Sequence, residues 1–207
     1  MSTSSSHASV SKCFNFSGMK RFEKAGLDGD LLPEVRKLLA NSEERKVVFL
    51  HLIGSHSAYV NRYPDEFRHF EGQAPGRNLP HKKLRLLNAY DDSIRYTDWL
   101  VAEVVKELKA LDGVSYMLYF ADHGEDVFDS TDARVLGHTQ PANDFMTQVP
   151  FLLWTSRKLN RLRPDLHTAE VRRSYCLTDA IHTLIDISSL TGPDYEPEKS
   201  VFIRSVP

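Results

Sequence analysis

The stretch VSYMLYFADHGE, residues 114–125, decides the fold of this chain. Its apolar, strand-favouring run stops at Asp122, His123, Gly124 and Glu125. The pattern predicts a buried strand that carries ligands at its carboxyl end, which is where sites lie in open α/β sheets. A carboxylate oxygen beside an imidazole nitrogen suits zinc or a similar divalent metal, and Gly124 lets the backbone turn away afterwards. A strand that simply ends in a polar turn is the alternative.

A second stretch repeats the pattern. Residues 46–56 read KVVFLHLIGSH, so a β-branched and aromatic run ends in His51 and His56. A third histidine, His138, follows His123 after a short polar loop. One histidine on an apolar strand is usually a core residue, whereas several polar clusters next to apolar runs are typical of a metal site built from several strand ends.

Composition and length set the bounds. The chain has 207 residues, is 41% hydrophobic and carries a net charge of −2. These values predict one globular domain over residues 31–207, preceded by a flexible Ser-rich segment over residues 1–30, and they give no indication of a nucleic-acid partner. No stretch approaches the roughly 20 apolar residues of a membrane-spanning helix, and residues 1–11 are no signal peptide. Cys13 and Cys176 form one disulfide or stay as two thiols.

Hydrophobic periodicity predicts the order of the elements. A strand, a long helix and a second strand form a βαβ unit, which favours parallel pairing of residues 46–52 with the strand that begins at Val114. Asp92 is assigned to the polar face of the long helix. The predicted elements are a helix at 31–40, a strand at 46–52, a helix at 84–110, strands from 114 and at 149–155, and a helix at 171–187.

A long polar loop, residues 57–80, begins beside the predicted site. Loops of this length inside compact domains are usually functional or mobile. Tyr59, Asn61, Arg62 and Tyr63 are therefore candidate substrate contacts, and Arg62 is suited to pair with a phosphate or carboxylate. The alternative is an ordinary solvated surface loop.

Taken in order, the motifs resemble a known family. The segments are HLIGSH at 51–56, NRYP at 61–64, NAYD at 88–91, YTD at 96–98, DHGE at 122–125, GH at 137–138 and QVPF at 148–151. This set is similar to the catalytic domain of the phosphoethanolamine transferases that modify lipopolysaccharide, members of the alkaline phosphatase/sulfatase superfamily. The resemblance runs from about Leu31 to about Tyr195.

The resemblance implies a fold and a reaction. The fold is an α/β sandwich with a largely parallel central sheet and helices on both faces, of which this chain lacks the N-terminal part. Asp122 and His123 would ligate the catalytic zinc, His56 and His138 would hold a second zinc or the substrate phosphate, and His51 would line the site. The family moves phosphoethanolamine from phosphatidylethanolamine to a lipid A or core-sugar acceptor through a phosphothreonine, and releases diacylglycerol.

The chain also departs from the family. Full-length members carry transmembrane helices and a nucleophilic threonine segment ahead of the matched region, and neither is found here; Ser4, Ser5 and Ser6 are not assigned that role. The expectation is therefore the carboxyl-terminal part of an inner-membrane enzyme with a periplasmic catalytic domain, whose membrane association comes from the missing region. The isolated chain is expected to be only marginally stable, because the core surface of Val47, Phe49, Leu118 and Phe120 would lack neighbours.

Two other classes stay open. The first is a non-catalytic remnant or binding module that keeps the fold without turnover. The second is a sulfatase or phosphodiesterase-type hydrolase. Sulfatases usually take their nucleophile from a Cys/Ser-x-Pro-x-Arg segment, which this sequence lacks. The NRYP element at 61–64 favours the transferases.

Overall fold

The computed structural model describes residues 26–41, 45–72, 78–130, 136–166 and 175–202. Helices and strands are mixed along the chain. The helices are α1 (Leu32–Ala40), α2 (His81–Ala110), α3 (Asp144–Thr147), α4 (Arg157–Leu162) and α5 (Ala180–Ile187). The strands are β1 (Tyr116–Phe120), β2 (Asp126–Val127), β3 (Leu136–Gly137) and β4 (Phe151–Thr155).

Helix α2 is the scaffold of the described structure. Its 30 residues give a rod of about 45 Å at the usual rise per residue. Leu84, Leu87, Leu100 and Val104 recur at helical spacing and are all buried, as the periodicity predicted. The helix begins three residues before the predicted start, directly after Pro80, whose fixed φ suits a helix entry.

The main sheet pairs β1 with β4 in antiparallel register, with Leu118 opposite Leu153. Within the described ranges this differs from the predicted parallel pairing of β1 with residues 46–52, which run extended without strand assignment. Val47 and Phe49 are 75% and 85% exposed, so among the described residues these two side chains have little packing around them.

Side-chain contacts hold that extended segment in place. Leu50 and Leu52 pack against the buried cluster of Leu32, Leu100 and Val104. At its carboxyl end, the Asp28 carboxylate accepts hydrogen bonds from the backbone N–H groups of residues 53 and 54, at 3.0 and 2.8 Å. The segment is therefore fixed by packing on α1 and α2 and by one carboxylate, because the sheet hydrogen bonds predicted for it are replaced by these contacts.

Packed structure begins slightly earlier than predicted. Residues 1–25 lie outside the described part, so the flexible N-terminal segment and Cys13 stay matters of prediction, as does the domain boundary. The 3-10 turn Asp28–Leu31 packs on α2, because the Gly29 N–H donates to the Tyr96 hydroxyl at 2.9 Å. Residues 171–174 of the predicted last helix also lie outside the described ranges, and the described helix there begins at Ala180.

Candidate active site

The carboxyl end of β1 delivers the central motif. The chain leaves the strand at Phe120 and places Asp122 and His123 directly after it. The Gly124 N–H then donates to the Met146 carbonyl at 2.8 Å. A Cβ at position 124 would overlap the Phe145 carbonyl oxygen. Glycine is therefore required by this close backbone approach, and not by the special turn conformation that the sequence suggested.

The ring of His123 is held in one tautomer. Its Nδ1 lies 2.9 Å from the Gly124 carbonyl oxygen. Because a carbonyl only accepts, Nδ1 carries the proton and Nε2 carries the lone pair. The Asp122 carboxylate accepts the His123 backbone N–H at 3.0 Å, which fixes the carboxylate next to the ring. Both residues therefore present a donor atom of the kind that zinc binds.

A short hairpin brings His138 to His123. Strands β2 and β3 pair antiparallel, with Asp126 opposite Gly137, and Gly137 has a φ of 87° that favours glycine. The two imidazole rings then lie with their centroids 4.2 Å apart, tilted by 45°. The two histidines at the ends of this segment thus form one pair of rings.

Asp126 fixes the loop that carries His138. Its carboxylate is fully buried and accepts hydrogen bonds from the backbone of Asp129 and Ser130, at 2.8 and 3.2 Å, and from the Asn143 side chain at 2.7 Å. Burial alone raises its pKa, but the hydrogen bonds outweigh burial and leave the pKa below its ordinary value. The ionised carboxylate therefore ties both ends of the loop together.

Glu125 is a buried acid beside the ring pair. Its side chain is 6% exposed, and its Oε1 lies 3.7 Å from His138 Nδ1. The Tyr59 hydroxyl donates to its Oε2. Burial, followed by this bond to Glu125, raises the pKa of Tyr59. Burial and the charge of Glu125 also raise the pKa of Tyr90 to about 12.

Glu125 was not among the predicted site residues. A sequence signal for it exists, because Glu125 and Asp126 are followed by the apolar pair Val127 and Phe128, and both of these are buried. An acid placed between a ligand motif and an apolar pair must enter the interior with them, and there it needs donors.

A cavity of about 1080 Å³ opens beside the ring pair. Its wall includes Asp122, His123 and His138, together with the neutral polar residues Thr139, Gln140, Thr147 and Gln148. The other lining residues are mostly apolar. That part of the wall includes Met146, Val149, Phe151, Leu153, Tyr175, Leu177 and Val201. The cavity therefore suits an amphiphilic ligand with a charged group at the histidine end.

The other predicted histidines lie elsewhere. His51 and His56 are exposed and do not line the cavity, and His56 Nδ1 lies 3.2 Å from the Ser57 hydroxyl. Across the described ranges, no three His, Cys, Asp or Glu side chains are grouped closely enough to hold a metal ion. The structure thus places Asp122, His123 and His138 in the wall of one cavity. The expected convergence of His56 with them is not seen.

The loop residues predicted to contact a substrate have structural partners. Arg62 donates from Nε to the His56 carbonyl at 3.1 Å and from a terminal nitrogen to the Ser57 carbonyl at 2.9 Å. Tyr63 is 7% exposed, and burial, then Asp92, raises its pKa. Of the four residues, only Asn61 is classed as exposed. The loop is therefore held by its own carbonyls and by acids of other elements.

The position of Asp92 differs from the predicted one. It was assigned to the polar face of α2, yet it is 1% exposed. Its Oδ1 accepts the backbone N–H groups of His69 and Phe70, at 2.8 and 3.1 Å. The acid faces inward because it satisfies a loop backbone that crosses the helix.

Comparisons with known proteins agree with this architecture. A model of the sulfatase family matches residues 3–189. The chain is 34% identical over 180 residues to the phosphoethanolamine transferase EptC of Escherichia coli K12, which covers 84% of this chain and 31% of that protein. It is 35% identical over 179 residues to the phosphoethanolamine transferase CptA of Salmonella typhimurium, with the same shares.

Solved structures give the same result. The crystal structure of the C-terminal periplasmic domain of EcEptC from Escherichia coli, in complex with Zn, matches with a TM-score of 0.81 at 32% identity, over 86% of this chain and 50% of that chain. The soluble domain of lipooligosaccharide phosphoethanolamine transferase A from Neisseria meningitidis matches with a TM-score of 0.73 at 23% identity, which supports the fold alone.

These findings confirm the predicted fold class and resemblance. The chain spans about a third of the length of the curated relatives and half of the solved EptC domain. Among the described helices, none has the length and apolar character needed to span a membrane.

Proposed function

We propose, since this chain belongs to the sulfatase family, that it forms part of the catalytic domain of a phosphoethanolamine transferase. The donor is phosphatidylethanolamine and the acceptor is a lipopolysaccharide, at lipid A or a core sugar. Identities of 34% and 35% to EptC and CptA support this substrate class over that of the sulfatases. The parent enzyme works at the bacterial inner membrane with this domain in the periplasm, by analogy with relatives named as periplasmic and integral membrane proteins.

One observation carries the proposal: His123 and His138 meet in the wall of a cavity whose other lining residues are mostly apolar. A phospholipid has a similar division, with a charged phosphate joined to apolar carbon chains. The His138 imidazole stabilises charge on the phosphate when it is protonated, or accepts a proton during transfer when it is neutral. The apolar wall around Phe151 and Leu153 receives the glycerol and acyl carbons of the donor.

The residues at the histidine end of the cavity fit zinc in their chemistry. Asp122 and His123 would hold the ion, because they offer an oxygen and an Nε2 lone pair, and the Nδ1–H of His123 is engaged by the Gly124 carbonyl in the manner of zinc-binding histidines. The family resemblance would give His56 and His138 a second zinc or the phosphate and would place His51 in the lining of the site; of these three, only His138 lines the cavity described above. Bound zinc polarises a phosphoryl oxygen and lowers the pKa of the attacking hydroxyl.

A transfer assay tests the proposal. The polypeptide that carries this domain is isolated from its source cells, using an antibody against the domain, and its mass is compared with 23.6 kDa. It is then incubated with phosphatidylethanolamine and lipopolysaccharide. We expect equal amounts of diacylglycerol and of phosphoethanolamine attached to the lipopolysaccharide, measured by mass spectrometry.

The products separate the three classes of function. Free phosphoethanolamine without transfer would support the hydrolase instead. Binding of the phospholipid without either product, in a polypeptide of 23.6 kDa, would support the binding module. A matched reaction with the His123→Ala variant is expected to yield neither product.

A further inference from the structure

We propose that Tyr59 and Glu125 form a buried pair that positions the His138 imidazole, with Nδ1–H directed at Glu125 and the Nε2 lone pair directed at the cavity. The inference rests on the function proposed above, since it assigns a role to two residues of the same site. Tyr59 and Glu125 are 3% and 8% exposed, and the phenol donates to Glu125 Oε2. Neither residue lines the cavity, so both act through His138 and are positioning residues.

The charge of Glu125 selects the tautomer of His138. A buried carboxylate requires donors for both of its oxygens, and Tyr59 supplies one at Oε2. Oε1 faces His138 Nδ1 at 3.7 Å, which is too long for a direct hydrogen bond but close enough for a substantial electrostatic interaction. An Nδ1–H bond pointing at the carboxylate is attracted, whereas an Nδ1 lone pair in the same place is repelled. The proton therefore sits on Nδ1.

Tyr59 keeps Glu125 aligned with the ring. The edge of its ring packs on Tyr90 with centroids 5.2 Å apart and planes at 68°. It also belongs to the buried cluster with Leu87, Val127 and Phe128. These contacts leave the phenol little rotational freedom, so its O–H is a fixed donor. With Oε2 held by Tyr59, the carboxylate plane is set and Oε1 stays next to His138.

The pair gives both histidines the same orientation. The Nδ1–H of His123 already donates to the Gly124 carbonyl. If the Nδ1–H of His138 is directed at Glu125, both rings present an Nε2 lone pair to the cavity. This matters most at His138, whose side chain is 54% exposed and has less packing around it to fix the ring.

Tautomers are measured directly by NMR. The labelled chain is studied without zinc or substrate at about pH 8, above the ordinary histidine pKa of about 6.5. The spectra correlate ring carbon protons with both ring nitrogens, and the His138 signal is identified by its loss in His138→Gln. We expect a protonated Nδ1 and an unprotonated Nε2 at His138. Tyr59→Phe should shift the population towards Nε2–H, and Glu125→Gln should shift it further.

Tyr63→Phe is the matched control. It removes a phenol hydroxyl from a second buried tyrosine of the same loop, one that faces Asp92 instead of Glu125, and it should leave the His138 tautomer unchanged. A merely structural role for Tyr59 predicts equal shifts in the two variants, and that result would overturn the proposal. An Nε2–H tautomer in the unaltered chain, or no change in Tyr59→Phe, would overturn it as well.

Because no zinc or lipid is present, these outcomes are independent of the transfer assay. A failed transfer assay with the expected tautomers would remove the proposed reaction and keep the positioning pair. A normal transfer assay with the wrong tautomer would do the reverse. Should Glu125→Gln fail to fold, Tyr59→Phe against Tyr63→Phe still decides.

Discussion

Two regions of this molecule begin with the same sequence pattern and end with different roles. Residues 114–125 and residues 46–56 each run from apolar residues into histidine. After the first run, Asp122 and His123 reach the wall of a cavity. After the second, His51 and His56 remain exposed. The difference shows that a strand-like run ending in histidine does not by itself place the histidine in a cavity.

The two regions also use their polar side chains differently. Behind His123, the loop is tied from outside itself, since Asp126 binds Asn143 and Gly124 binds Met146. Behind His56, Arg62 binds carbonyls of its own loop. The first region therefore ends in the wall of a cavity, whereas the second is a loop held by its own carbonyls, by Asp28 and by Asp92, and the two meet through Tyr59.

The largest expected effect is on metal binding. His123→Ala should lose most of the bound zinc, because it removes an imidazole with a defined Nε2 lone pair. His69→Ala should retain the zinc, because His69 lies in the loop of residues 57–80 and contacts Phe70. Zinc content after dialysis, measured by atomic emission, checks the pair. Equal zinc content in the two variants would contradict the ligand assignment.

The next largest effect is on stability. It comes from removing the close approach between the Gly124 backbone and the Phe145 carbonyl. Gly124→Ala places a methyl group against the Phe145 carbonyl and should lower the free energy of unfolding by about 3 kcal/mol. Gly113→Ala is the control, because a Cβ there meets its nearest atom only at 4.0 Å. Denaturant midpoints compare the two. Similar midpoints would show that the backbone at Gly124 can move.

The sequence predicts the long helix and the two strands of the main sheet, but it does not predict how the strands pair. The apolar residues of α2 define one buried stripe, so local periodicity is enough to find it. Residues 46–52 have strand composition, but a strand also needs a backbone to pair with, and the described structure supplies packing from Leu32 and Leu100 instead. Propensity at this segment describes a fit to an apolar surface, which is a weaker condition than pairing.

The site divides in a similar way. Asp122, His123 and His138 could be found because ligand-type residues follow an apolar run or a short loop. Glu125 was not assigned to the site, Asp92 was assigned to solvent and Tyr59 to a substrate, because burial depends on contacts between distant segments. Asp92 faces inward only because residues 69 and 70 cross α2 and need an acceptor. The short helices α3 and α4, in contrast, carry a local sequence signal, because Asn143 and Ser156 act as their N-caps.

A smaller effect sharpens the comparison within the second region. Asp92→Asn removes the charge that accepts two backbone N–H groups and should cost about 2 kcal/mol, the range for hydrogen bonds to charged groups. Asp98→Asn, at an exposed position of the same helix, should change stability little. Denaturant midpoints again compare the two. If Asp98→Asn destabilises the chain as much as Asp92→Asn, the acceptor role of Asp92 is wrong.

The smallest expected effect is on the pH dependence of folding stability, and it involves Asp126, which follows the first region. The folded-state pKa of Asp126 lies below its ordinary value, while the unfolded chain titrates at about 3.9. The unfolded state therefore binds the proton first as pH falls, so the stabilising contribution is present above the unfolded pKa and is lost as pH falls through the folded pKa. Asp126→Asn should flatten the acid side of the stability curve.

The control for this titration is Asp144→Asn, at an exposed acid in the same loop region. It should keep the acid-side slope of the unaltered chain. The Asp126 carboxylate accepts with both oxygens, at Oδ1 from the backbone of Asp129 and Ser130 and at Oδ2 from Asn143. Asn keeps only one acceptor oxygen, so Asp126→Asn removes the charge together with part of these hydrogen bonds, and the pH dependence of stability is what isolates the charge. An unchanged slope in Asp126→Asn would mean that other carboxylates carry the acid sensitivity, and that the loop behind His138 is held by hydrogen-bond geometry more than by charge.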